Sequence, residues 1–291
     1  MSTRRTARLS IIAVIAAIGI AGASCTTPIV GPVPSVNWAF EGDRVTVNNS
    51  QDEVCVIICV NTHDEPYLLN VNFKVTIGAP GSGSAWRTGS GANEYNDLGA
   101  GESHTLVGAE RAKATFNGVK PLDLLSALNP ANKMDVVGTF TLAMESDLIS
   151  YDYAADAIAD IFEDALNATV ALSVLPATEA ELVDLILDLL FNNIGNAFEL
   201  LLANIPLFGL GDDVLGGAVY VGIGATGVLG SAIDAILGGY SIPTFTLLGD
   251  NQLPPDVQGG GIFTMTGSKG FTQSFSGADG QHTYDFIAGA A

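Results

Sequence analysis

Basic residues are what this chain has least of. It holds 11 Lys and Arg and 3 His against 31 Asp and Glu. No Lys, Arg or His occurs between Lys133 and Lys269, a stretch that carries 18 acids. Such a field repels nucleic acid and anionic lipid head groups, so nucleic acid is excluded as a partner. Charge of either sign is scarce, at 14 %. No Asp-x-Asp-x-Asp-Gly loop marks a calcium site, and no Gly-x-Ser-x-Gly elbow marks a serine hydrolase. Cysteine occurs three times, too rarely for a disulfide framework.

What the chain does have begins at its N-terminus. Arg4, Arg5 and Arg8 precede an apolar core, Leu9 to Ile20, and Ala21-Gly22-Ala23-Ser24 leads to Cys25. A basic segment, a short apolar core and a small-residue exit make residues 1–24 an export signal. The core is shorter than the roughly 20 residues a spanning helix needs. Arg4-Arg5 lacks the aromatic that usually follows a twin-arginine pair. Removing the leader takes three bases and no acids, leaving 8 bases against 31 acids, a net charge of −23. The 267 residues that remain make one large domain or two small ones.

Two endings fit this leader. Ala21-Gly22-Ala23 suits ordinary signal peptidase, giving plain secretion. Gly22-Ala23-Ser24-Cys25 resembles a lipoprotein box, which implies lipidation at Cys25, although Gly22 stands where that box has a branched aliphatic. An odd cysteine in an exported chain favours the second, because it leaves Cys55 and Cys59 as the remaining pair. Residues 25–36 then form a Pro-rich tether, with Pro28, Pro32 and Pro34 favouring an extended spacer. The expected partner is the cell envelope or membrane, reached through that lipid.

Residues 37–148 are rich in β-branched and aromatic runs separated by glycine-rich turns, the pattern of short strands in a sandwich. In one run Val71, Phe73, Val75 and Ile77 alternate with Asn70, Asn72, Lys74 and Thr76, as in a half-buried strand. Val54-Cys55-Val56-Ile57-Ile58-Cys59-Val60 is apolar on both faces and predicts one central strand.

Residues 149–240 change character. Asp152, Asp156, Asp160, Asp164 and Asn167 form a polar stripe at helical spacing, opposite Ile158, Ile161, Phe162, Ala165 and Leu166. A second helix is expected after Thr178-Glu179-Ala180-Glu181, a capping-box pattern, with a wide apolar face to Leu202. Asp152, Asp156, Asp160, Asp184 and Asp188 have no base nearby in sequence, so mutual repulsion is expected to raise their pKa values. Residues 214–239 hold one charge, Asp234, and place Ala218, Gly222, Thr226 and Gly230 four apart. That reads as a packed helix or helix pair, a membrane-inserting hairpin or a glycine-rich loop. Strand patterns return in residues 241–291. The expected fold class is α+β, an antiparallel β-sandwich interrupted by an acidic, largely helical insertion.

Chemistry-bearing patterns are few. Cys55, Cys59 and His63 are spaced four apart, which resembles the dinuclear copper site of cytochrome oxidase subunit II. Ile57 and Pro66 stand where that family has glutamate and methionine, and no histidine precedes His63. No metal or other cofactor is therefore assigned. Residues four apart along one strand are about 13 Å apart, too far for a disulfide. Cys55 and Cys59 are then either buried thiols on one face or linked across a bend. Ser103-His104 and His282 carry no catalytic pattern, and Trp38, Trp86 and Tyr95 serve a binding surface or the core. The sequence points to a non-catalytic exported envelope protein, with membrane insertion of helices in 181–239 as the alternative.

Overall fold

The computed structural model describes residues 31–50, 53–55, 59–61, 63–95, 98–123, 125–126, 129, 131–146, 152–168, 213–227, 230–231, 257–277 and 280–291. The strands are β1 (Val36–Ser50), β2 (Glu53–Cys55), β3 (Cys59–Asn61), β4 (Pro66–Thr76), β5 (Ser84–Thr88), β6 (Ser103–Thr105) and β7 (Ala114–Val119). They continue as β8 (Asp135–Glu145), β9 (Asp213–Ile223), β10 (Val257–Thr264), β11 (Lys269–Ser276) and β12 (Gly280–Ala290). Among the described residues a 17-residue α-helix, α1, spans Asp152–Ala168.

Two five-stranded sheets result. The first runs β11-β12-β1, and β1 then meets β7 along its first half and β6 along its second. The second runs β10-β9-β8-β4-β5. Among the described strands every ladder is antiparallel except that of β9 with β10. The C-terminal strands are hydrogen-bonded neighbours of the N-terminal ones: β12 lies along β1 from Trp38↔Ala290 to Ser50↔Gly280.

The second sheet is covered on both faces. One face meets the first sheet through Phe40, Val45, Phe286, Val137 and Tyr220, with Phe40 and Tyr220 ring centroids 5.1 Å apart. The other meets α1 through Val71, Phe73, Ile158, Phe162 and Leu166. Each fully buried side chain of this kind contributes about 1.5–3 kcal/mol. The periodicity of α1 therefore works as the sequence suggests, its apolar stripe capping a sheet.

The alternation in β4 also holds, but its polar face is not wet. Asn70 and Asn72 are buried between the sheets. Asn70 Nδ2 donates to the Ala112 carbonyl at 2.9 Å, and Asn72 Nδ2 donates to Thr88 Oγ1 at 3.0 Å. Lys74 Nζ donates to the Asn117 carbonyl at 2.6 Å and lies 3.4 Å from buried Asp135. Each amide nitrogen thus finds a partner inside a strand covered on both faces, while Asn70 Oδ1 and Asn72 Oδ1 have none among the described residues.

Residues 213–223 overturn the helical reading of that stretch. β9 is a central strand between β8 and β10. Its glycines make room for aromatic rings: a Cβ on Gly217 would lie 2.8 Å from Phe140 Cζ. Across the pairing, a Cβ on Gly138 would run into the Phe73 ring and the Tyr220 carbonyl. Membrane insertion by this part of 214–239 would dismantle the second sheet. The predicted helix over 181–202, its acids Asp184 and Asp188, and most of 224–256 lie outside the described residues.

The single strand expected over residues 54–60 is also corrected. β2 and β3 fold back on each other, pairing Glu53↔Asn61, Val54↔Val60 and Cys55↔Cys59. The 13 Å separation expected of a straight strand does not apply, because the chain reverses between the two cysteines.

Candidate functional site

The residues with most chemistry gather around the second half of β1. Val47 pairs with His282 of β12, and Val45 pairs with His104 of β6. The loop between β5 and β6 wraps this end: Val47 N donates to the Glu102 carbonyl and Gly101 N to the Val47 carbonyl. Leu98 of that loop bridges to Asp64, just before β4. The ring of His63 stands beside Gly99, whose amide donates to Glu102 Oε2 at 3.0 Å. All three histidines thus fall on segments around residues 45–50.

Asp64 and His282 make the tightest contact there. Asp64 Oδ2 and His282 Nε2 are 2.6 Å apart, and neither side chain is exposed. Asp64 Oδ1 and His282 Nδ1 have no hydrogen-bond partner among the described residues. Among the described residues no nucleophile engages the imidazole, and the pair is closed off from solvent. The arrangement ties the last strand to the β3–β4 connection. Tyr284, two residues on, donates to the Tyr67 carbonyl at 3.3 Å. Burial raises its phenol pKa, and the charge of Asp64 adds to the rise.

His63 is exposed, His282 buried and His104 half-buried. His104 Nε2 lies 2.9 Å from Glu110 Oε2, and the same carboxylate accepts from Val107 N at 2.8 Å. Its ring stacks on Tyr95 with centroids 3.6 Å apart. Ser103, its neighbour, points elsewhere and shares a hydrogen bond with Thr46 at 2.8 Å. Ser103 and His104 therefore do not form a nucleophile–base pair. Trp38 packs on Phe263, and Trp86 packs edge-on against Phe116. Trp38, Trp86 and Tyr95 all belong to or pack against the core between the sheets.

The acidic stripe of α1 has partners that sequence reasoning missed. Arg87 of β5 donates from Nε to Asp156 at 2.8 Å, and its Nη1 lies 3.3 Å from Asp152. The hydrogen bond that Arg87 donates to Asp156 raises the guanidinium pKa against the opposing effect of burial, with the charge of Asp152 adding to it. Ser90 Oγ donates to Asp152 at 2.6 Å, Ala85 N to Glu163 at 3.2 Å and Gly83 N to Asn167 at 2.8 Å. Asp152 and Asp156 are thus bridged by a cation, which removes the basis for mutual repulsion between them. Their side of the helix covers the exposed edge of β5, a common protection for sheet edges. No feature of the sequence near residue 152 signals a base 65 positions earlier.

Of the singled-out cysteines, Cys55 and Cys59 stand opposite each other across the β2–β3 ribbon. Cys25 lies outside the described residues. Among the described residues no group of three or more His, Cys, Asp or Glu side chains is arranged to hold a metal ion, and no helix is long and apolar enough to cross a membrane. Comparison with protein-family models, with curated proteins and with solved structures returned no match.

Proposed function

We propose that this is a non-catalytic, extracytoplasmic protein of the cell envelope, held by a lipid on Cys25. Its β body would serve as an adhesive, structural or ligand-carrying surface. The observation that carries this is the N-terminal pattern: three arginines, the apolar core Leu9 to Ile20, and a small-residue exit at Cys25. A net charge of −23 on the remaining chain supports solubility outside the cell. In this reading the body is a sandwich with an acidic helical excursion, of which α1 is the described part.

The test is the mature N-terminus. Lipid anchoring requires a diacylglyceryl mass on Cys25, and Cys25→Ala should release the protein to the medium. A mature chain beginning at Ser24 without lipid overturns the anchor.

A membrane-active protein is the alternative, supported by the wide apolar face predicted over 181–202. It requires liposome leakage as pH falls toward about 4–5, where carboxylates protonate. The proposed reading requires none at any pH where the protein stays folded.

A further inference from the structure

We propose that Cys55 and Cys59 are joined by a disulfide that closes the β2–β3 ribbon. Three observations meet at these residues. The first is register: Cys55 and Cys59 are directly opposed in the antiparallel ladder. Opposed residues share a face and have Cα atoms about 4.5–5.5 Å apart. A disulfide spans Cα separations of about 4.4–6.8 Å.

The second is the chemistry of the reversal. The residues between the cysteines are Val56, Ile57 and Ile58. Three-residue hairpin loops ordinarily place a glycine, or an asparagine or aspartate, in the left-handed region. β-Branched residues are the least suited to it and favour an extended chain. Local propensity thus opposes the turn that the register requires.

The third is isolation. Among the described residues β2 and β3 pair only with each other. A lone two-stranded ribbon is marginally stable in water. A covalent link between the two residues that close the loop adds stability to a ribbon that has no neighbouring strand among the described residues.

The chemistry balances with one external disulfide as oxidant. A thiolate of one cysteine attacks that disulfide, expels a first thiol and leaves a mixed disulfide. The second protein thiolate displaces the remaining thiol and forms the Cys55–Cys59 bond. Two protein thiols are oxidised, one external disulfide is reduced to two thiols, and both protons leave with those thiols. For the oxidant in the cell, the inference rests on the extracytoplasmic reading, since such bonds persist outside the cytoplasm.

The experiment uses the full chain carrying Cys25→Ser, so that two cysteines remain, equilibrated in reduced and oxidised glutathione. Native protein should resist alkylation, weigh two hydrogens less than its reduced form and yield a linked peptide holding both cysteines. Its ratio of linked to reduced chain should exceed that of the same chain in guanidinium by about tenfold or more, because the folded register holds the thiols together. Adding Cys55→Ser should trap glutathione on Cys59, an adduct that the two-cysteine chain resolves. Free alkylation of both cysteines in folded protein, or equal ratios in folded and denatured chains, overturns the proposal. Linkage in the buffer together with reduced thiols in protein taken from cells upholds it and overturns the extracytoplasmic reading instead.

Discussion

Asp64 and His282 are 218 positions apart in the chain and meet at 2.6 Å with no solvent contact. Truncating Asp64 leaves His282 Nε2 buried without that partner, at a cost of about 1–3 kcal/mol. Asp64→Ala is expected to lower stability by that amount in urea unfolding at neutral pH. The double variant Asp64→Leu with His282→Phe should cost less than Asp64→Ala alone, since both polar partners leave together. A double variant as costly as the two single ones combined would show that the side chains are not coupled.

Arg87 holds α1 to the edge of the second sheet through Asp152 and Asp156. Charge-assisted bonds of this kind contribute about 1–2 kcal/mol when partly exposed, after allowance for solvent screening. Arg87→Met should reduce stability by that much and raise amide hydrogen exchange across residues 152–168. Exchange in β1 and β12 should not change. Unaltered protection of α1 would mean that its apolar face alone holds it.

Burial raises the phenol pKa of both Tyr220 and Tyr284, and the charge of Asp64 raises Tyr284 further. A raised folded pKa contributes stability that is complete below the unfolded value of about 10 and is lost as pH climbs past it. In an alkaline absorbance titration these two phenols should ionise only as the protein unfolds. Tyr284→Phe should remove one of them and move alkaline unfolding to higher pH. A Tyr284 phenol that ionises near pH 10 in folded protein would contradict this.

Sequence patterning reached the elements that keep one regular period. The odd positions of β4 and the apolar stripe of α1 were legible because each element packs one consistent face. β9 was not, for a reason specific to its spacing. Ala218 and Gly222 are four apart, and four is a near-repeat of the helix and an exact multiple of the strand period, so the same residues align on either. Being buried on both faces, β9 also lacks the polar alternation that would have separated the two. The β2–β3 reversal was hidden because Val56, Ile57 and Ile58 carry no turn signal. The candidate site was least legible of all. Asp64 meets His282, and Arg87 meets Asp156, across 218 and 69 positions. No local pattern encodes a contact made by tertiary pairing.

β1 also sets a distance. It starts at Val36, next to Asn37, whose carbonyl accepts from Ala291 N. It finishes at Ser50, beside Gly280, immediately before the cysteine ribbon. Fifteen residues of strand span about 45 Å. The C-terminus and the start of β1 therefore share one end of the first sheet, on the side of Lys74. Val45 and Val47, opposite His104 and His282, lie about 30–35 Å farther along β1, so a bulky group attached at the C-terminus leaves that end of the sheet clear.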